Sequence, residues 1–147
     1  MPRFEASVAI DRSPQEVFDY ITDPTHVPEW MEEIQSAEWT SKGQPDVGST
    51  MTARMKSRNR GRELQLEVTQ WDSPTGYEDR MLTPMFPLKD MRHEYRFEPN
   101  GDRTRLTVNG EFEMVGGLTF AGGLMRRVAT KFNQRHLDAA KRALEAG

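Results

Sequence analysis

Three polar residues inside otherwise apolar patterns are the candidates for chemistry in this chain. His93 and Tyr95 share one face of a predicted strand with Met91 and Phe97. His136 lies on the apolar face of a predicted C-terminal helix. Imidazole and phenol groups beside a cavity can orient a ligand carbonyl, or exchange protons with it during enolisation or dehydration. Alternatively, each histidine has a structural role and is hydrogen-bonded within the core or at its edge.

The sequence predicts no metal and no other cofactor. The chain has three histidines and no cysteine, and no two histidines have the His-x-x-x-His spacing of a metal site. A Gly-x-Ser-x-Gly motif and a phosphate-binding glycine loop are also missing. Without cysteine, disulfides and thiolate catalysis are excluded.

Composition is that of an ordinary globular chain. Its 147 residues, 35% hydrophobic and 29% charged, predict a single domain over residues 1–147. No apolar run approaches the roughly 18 residues that cross a bilayer, and no apolar signal-peptide core follows Met1. We therefore expect a cytoplasmic protein. A net charge of -3 argues against nucleic acid as a partner, since that partner requires a basic surface.

Hydrophobic periodicity predicts one strand, two helices, six strands and a long helix. Ser13 is a suitable N-cap for the first helix, Pro14 suits its first position, and Glu16 can bond the cap amide. The predicted strands cover residues 3–10, 34–41, 50–56, 64–69, 77–83, 91–98 and 106–114, and the long helix covers residues 119–145. In the strand over residues 77–83, either Tyr77, Asp79 and Met81 face inward, or Glu78 and Arg80 do.

Two tracts resemble a known family. Residues 8–24, followed by Pro28-Glu29-Trp30, resemble the opening of the SRPBCC superfamily (START-like, birch-pollen-allergen-like), particularly its polyketide cyclase/dehydrase and lipid-transport branch. Residues 97–106 resemble the family's strand–turn–strand that ends in Gly-Asp-x-Thr-Arg. The resemblance implies an α+β helix-grip fold: a curved seven-stranded antiparallel sheet around a long C-terminal helix, with two short helices after the first strand. It also implies an apolar cavity between sheet and helix.

The predicted inner surface is rich in methionine and aromatic residues. Methionine is flexible and polarizable, so it adapts to irregular ligands. The predicted ligand-binding residues are Trp30, Met51, Met55, Met81, Phe86, Met91, Phe97, Phe112, Met114, Phe120, Met125 and Phe132. A filled core that uses methionine as a gap-filler is the alternative.

Three functions fit this combination. The first is binding of a hydrophobic small molecule of the polyketide, lipid or quinone type. The second is a polyketide cyclase/dehydratase, in which His93, Tyr95 and His136 would transfer protons during aldol-type ring closure and loss of water. The third is a non-enzymatic lipid or quinone carrier, whose apolar loops at residues 83–88 and 116–125 would contact a membrane transiently. Oligomeric state does not follow from the sequence.

Overall fold

The computed structural model describes residues 2–56, 62–85, 87–116 and 121–147. Its elements are β1 (Arg3–Ile10), α1 (Pro14–Thr22), a 3-10 turn (Pro24–His26), α2 (Val27–Trp30), β2 (Ile34–Trp39), β3 (Thr50–Met55), β4 (Glu63–Asp72), β5 (Gly76–Met81), β6 (Leu88–Asn100), β7 (Arg103–Met114) and α3 (Gly122–Ala146). The seven strands form one antiparallel sheet in the order β1-β7-β6-β5-β4-β3-β2. The predicted helix-grip fold is confirmed, and β1 and β2 are the two edges of the sheet.

The start of α1 follows the predicted cap closely. The amide of Glu16 donates to the Ser13 hydroxyl oxygen at 3.3 Å, and Pro14 occupies the first turn. The Glu16 carboxylate accepts from the Ser13 hydroxyl at 3.1 Å, in place of the Ser13 amide that a complete capping box uses. Four apolar side chains of α1 are buried, and they close one end of the sheet: Val17, Phe18, Tyr20 and Ile21.

Pro28 lies in the first turn of the short helix α2, where its missing N–H is not needed. The short helix buries Trp30 and leads through Glu33 into β2. That strand ends at Trp39, two residues before the predicted end.

The inward parity of β5, left open by the sequence, is settled by the sheet. Tyr77 and Asp79 are buried, whereas Arg80 is exposed. Three consecutive charged residues, Glu78, Asp79 and Arg80, place charge on both faces of this strand, so no apolar pattern could mark its inner face. Its pairing with β6 places Tyr77 beside Tyr95 and Asp79 beside His93.

The helix α3 lies along β1 and is held there by polar contacts as well as apolar ones. The Gln134 side-chain amide donates to the Ser7 carbonyl at 3.0 Å, and the Lys141 ammonium donates to the Ala9 carbonyl at 2.6 Å. Within the described ranges, no helix has the length and apolar content required to cross a membrane.

Candidate functional site

A cavity of about 380 Å³ lies between the sheet, α2 and α3. Ligand pockets in proteins span about 300–1,000 Å³, so the space accommodates a small molecule. Most of its wall is apolar. The predicted ligand-binding residues on this wall are Trp30, Met51, Met55, Met81, Met91, Phe112, Met125 and Phe132. The middle of the sheet's inner face therefore borders a cavity. The alternative, a core filled by methionine side chains, does not apply there.

Two predicted ligand-binding residues lie away from the cavity. Phe97 packs at the closed end of the sheet, 5.1 Å from the ring of Phe18. Met114 packs with Phe4 and Phe112 in a small separate cluster. Both have the inward parity of their strands, but the helices cover the ends of those strands directly. Two further predictions, Phe86 and Phe120, fall outside the described residues.

Asp79 and His93 form a hydrogen-bonded pair on the sheet wall. The Asp79 Oδ1 atom lies 3.1 Å from Nδ1 of His93, and both side chains are largely buried. They are direct cross-strand partners on β5 and β6. With Nδ1 bonded to the carboxylate, Nε2 is the ring nitrogen left for a ligand. Such a pair holds an imidazole in one orientation, as general bases require.

Gly110 makes room for the aromatic ring that supports this pair. It lies between Phe4 of β1 and His93 of β6 in the same cross-strand row. A Cβ atom at Gly110 would lie 2.1 Å from the Phe4 ring, so no larger residue fits without displacing that ring. The Phe4 ring in turn meets the His93 ring edge-on at 6.0 Å. The glycine thereby leaves the space in which the Phe4 ring packs against His93.

Two stacked tyrosines, Tyr77 and Tyr95, lie beside this row. The rings of Tyr77 and Tyr95 stack at 4.8 Å with an angle of 9° between their planes. Among the described residues, neither hydroxyl has a hydrogen-bond partner. Burial, followed by the nearby charge of Asp79, raises the pKa of the Tyr95 phenol well above 10, and burial likewise raises the pKa of Tyr77. Both phenols therefore stay protonated and can donate to a ligand oxygen.

A second histidine–carboxylate pair lies on the helix side of the cavity. Nε2 of His136 is 2.9 Å from Oε1 and 3.1 Å from Oε2 of Glu33. Burial pushes the pKa of Glu33 upward, but the hydrogen bond and charge of His136 outweigh it, so the net pKa is below its ordinary value. The His136 ring meets Phe132 at 4.4 Å and Trp30 at 6.1 Å. Nδ1 of His136 and Nε1 of Trp30 are buried without partners among the described residues.

The structure brings all three predicted catalytic candidates to one cavity and adds residues that the sequence analysis missed. His93, Tyr95 and His136 line it together with Glu33 and Asp79. Asp79 was present in one of the two parities considered for its strand. No sequence pattern indicated Glu33. This residue belongs neither to an alternating strand pattern nor to the helical pattern of α3, and it contacts α3 only in the folded chain. Across the described residues, no three histidine, aspartate or glutamate side chains meet as a metal site.

Comparison with known families identifies the chain. Residues 1–145 match the model of the family described as polyketide cyclase / dehydrase and lipid transport. The chain belongs to this family. No curated protein sequence matches it at a significant level.

Several solved structures share the fold at low sequence identity. A START superfamily protein from Mycobacterium smegmatis is 15% identical with a TM-score of 0.82, and the match covers 99% of each chain. The Zhui aromatase/cyclase from a Streptomyces species is 15% identical with a TM-score of 0.79, covering 97% of this chain and 93% of that one. The di-domain ARO/CYC protein BexL is 13% identical with a TM-score of 0.83, covering 99% of this chain but 47% of BexL. The present chain thus spans about half of the length of that two-domain protein.

Proposed function

We propose that the protein binds one hydrophobic small molecule of the polyketide, lipid or quinone type in the cavity between sheet and α3. The observation that carries this proposal is the cavity itself: about 380 Å³, mostly apolar walls, and polar groups gathered at a few positions. Apolar walls with a few placed polar groups are the usual form of a small-molecule site. Membership of a family described by polyketide cyclisation and lipid transport supports the polyketide and lipid classes.

The polar groups favour a ligand that carries a carbonyl oxygen. Among the described residues, the protonated phenols of Tyr77 and Tyr95 have no acceptor, and both side chains line the cavity. A ligand oxygen that accepts from one of these phenols adds a hydrogen bond to the complex. Ketones, quinones and carboxylic acids supply such an oxygen. The aromatic ring of Trp30 and the methionines of the wall suit a flat or flexible apolar body.

Ligand binding can be tested through the tryptophans of the wall. Trp30 and Trp39 both line the cavity, so a bound naphthoquinone should quench their fluorescence and raise the melting temperature. Ala129→Phe places a ring in the cavity and should abolish both effects. Ala146→Phe, at the exposed end of α3, is the matched control and should retain them. Native mass spectrometry of protein purified from its host, followed by extraction, would identify the natural ligand.

Two results would contradict the proposal that the cavity binds a hydrophobic small molecule. If naphthoquinones, fatty acids and aromatic polyketides all leave fluorescence and melting temperature unchanged, the cavity is not a binding site for these classes. Equal responses from Ala129→Phe and Ala146→Phe would place the binding site elsewhere. The melting curve of Ala129→Phe without ligand shows whether this variant is folded.

A second candidate function, polyketide cyclase/dehydratase, is favoured by the Asp79–His93 pair. The carboxylate orients the ring, so that Nε2 of His93 can remove a proton from the carbon between two ketones. The resulting enolate attacks a second carbonyl of the chain, a carbon–carbon bond forms, and the new alkoxide takes back the proton held by His93. Tyr95 donates a hydrogen bond to the developing oxyanion. His93 then removes a second proton from the same carbon and passes it to the departing hydroxyl, which leaves as water and gives the dehydrated ring.

The cyclase hypothesis predicts that turnover and binding respond differently to mutation. His93→Gln and Asp79→Asn should slow cyclisation of a linear poly-β-ketone by roughly a hundredfold or more, the usual contribution of a general base. Tryptophan quenching by the same substrate should change much less. His26→Gln changes a partly exposed histidine outside the cavity and is the control. Unchanged turnover in His93→Gln, with a confirmed substrate, would refute this role.

A further inference from the structure

The first half of α3 exposes a row of apolar side chains. Leu124 is 65% exposed, Val128 is 49% exposed and Phe132 is 38% exposed. They are spaced four residues apart, so each is turned by only about 40° from the one before it. Large apolar side chains that form a continuous exposed row are characteristic of a contact surface. We refer to these three residues as the apolar row.

Positive charge accompanies this row. Residues 122–137 include four cations and no aspartate or glutamate, although the whole chain has a net charge of -3. The cations are Arg126, Arg127, Lys131 and Arg135, and all four are exposed. Arg126 is turned about 160° from Leu124, so only the other three lie on the side of the row. Within the part of the chain that the structure describes, none of them forms a salt bridge. By contrast, Arg80, Arg92 and Arg96 of the sheet have carboxylate partners.

The apolar row runs along one border of the cavity. Val128 and Phe132 line the cavity and are also exposed, whereas Leu124 is exposed and does not line it. Lys131 and Arg135 lie on the same side of the helix as Leu124, within about 20° of it. The guanidinium of Arg135 is 5.9 Å from the centre of the Phe132 ring. Cations and apolar groups are thus interleaved on one exposed strip beside the cavity.

We propose that this strip of α3 docks on an anionic lipid bilayer. A helix with apolar side chains flanked by lysine and arginine lies in the bilayer interface, with its apolar groups at the boundary of the acyl chains. In the described part of the chain, Arg127 and Lys131 have no carboxylate partner and supply attraction to anionic headgroups; Arg135 adds to it, although its charge also acts on Glu33. An acidic protein would satisfy the cations, but three solvated apolar groups among them are better accommodated by acyl chains. Docking in this way places the cavity border against the membrane.

This inference goes beyond ligand binding and does not depend on it. It assigns a partner to a surface, whereas the proposed function assigns a ligand to the cavity. The two are measured separately, by vesicle flotation without added ligand and by tryptophan quenching without vesicles. Residues 127, 131 and 124 do not line the cavity, so changes at these positions address the surface alone.

The charge requirement is tested by flotation with two kinds of vesicle. The protein should float with phosphatidylcholine vesicles that contain phosphatidylglycerol and remain unbound with pure phosphatidylcholine; added salt should weaken binding. The double variant Arg127→Gln/Lys131→Gln should bind roughly twentyfold more weakly, because each cation near an anionic surface contributes about fivefold. The control Arg92→Gln/Arg96→Gln removes the same charge from the outer face of β6 and should retain wild-type binding.

The apolar requirement has a matched pair of its own. Leu124→Gln should weaken vesicle binding by roughly tenfold, since burying a leucine side chain contributes at least that much. Val47→Gln changes a side chain of similar exposure, 62%, in the loop between β2 and β3, and should have no effect. Equal binding to neutral and anionic vesicles, or equal effects in variants and controls, would overturn the proposal. So would binding to an acidic protein with no binding to vesicles.

Discussion

The two histidine–carboxylate pairs of the cavity are assembled in different ways. Asp79 and His93 are cross-strand neighbours, so the register of β5 and β6 fixes their separation. Glu33 and His136 are 103 residues apart in sequence and meet only when α3 packs against the segment after α2. The sheet pair is therefore a permanent part of the wall. The helix pair persists only while α3 stays packed in place. We therefore expect the loss of this pair to destabilise α3 before the rest of the protein.

The largest expected effect comes from overfilling the row that supports the sheet pair. Gly110→Val introduces atoms where the Phe4 ring lies, 2.1 Å from the position of a Cβ. We expect the free energy of unfolding to fall by about 3 kcal/mol, at the upper end of typical overpacking costs. Urea denaturation measures this. The double variant Gly110→Val/Phe4→Ala should recover part of the loss, and no recovery would show that the two residues are not coupled.

Breaking the helix pair should cost less stability and act more locally. Glu33→Ala leaves the buried His136 without its acceptor, and we expect a loss of about 2 kcal/mol. Amide hydrogen exchange should rise along α3, because the helix loses a contact to the rest of the wall. Asp79→Ala is the matched change in the sheet pair and should leave exchange in α3 unaltered. Similar exchange patterns in both variants would contradict the distinction between the pairs.

Acid should weaken the helix pair in a defined direction. The pKa of Glu33 is lowered from its ordinary value of 4.5 in the folded state. Its contribution to stability is therefore complete above about pH 4.5 and is lost as the pH falls through the lower folded-state pKa. Urea unfolding at a series of acidic pH values should show a steeper decline for the wild type than for Glu33→Gln. Parallel declines would indicate that this carboxylate does not carry the dependence.

The smallest effect on stability is expected at the unpartnered phenol. Tyr95→Phe removes a hydroxyl that bonds to no described residue, so the free energy of unfolding should change by less than about 1 kcal/mol. Affinity for a carbonyl ligand should fall by roughly fivefold, the usual contribution of one neutral hydrogen bond. Tyr20→Phe is the control: Tyr20 donates to Glu29 at 3.0 Å and lies outside the cavity. It should affect stability and leave ligand affinity unchanged.

The sheet wall was largely predictable because its strands alternate. In β6, the inward positions hold Met91, His93 and Tyr95 and the outward ones hold charged residues, so parity alone oriented them. Phe97 was predicted to bind ligand because it has the same inward parity, yet it packs away from the cavity. Parity tells which face a residue occupies but not where along the strand the helix stops covering the sheet, and Phe18 of α1 covers Phe97.

The polar partners of the histidines were not predictable in the same way. Asp79 lies in a strand in which charge occurs on both faces, so either parity satisfied the pattern. Glu33 lies between two short elements and finds His136 only through a contact of long sequence separation. Such a contact depends on the angle at which α3 meets the sheet, and no local periodicity encodes that angle.

The side chains of α3 that reach β1 also protect the protein against aggregation. As an edge strand, β1 offers backbone carbonyls that an extended segment of another molecule could use to add a strand. Gln134 and Lys141 occupy the carbonyls of Ser7 and Ala9. A molecule whose terminal helix has detached would therefore expose a strand edge together with the apolar wall behind it. Such molecules would associate through intermolecular β-pairing, so the helix limits misassembly of the chain as well as enclosing its cavity.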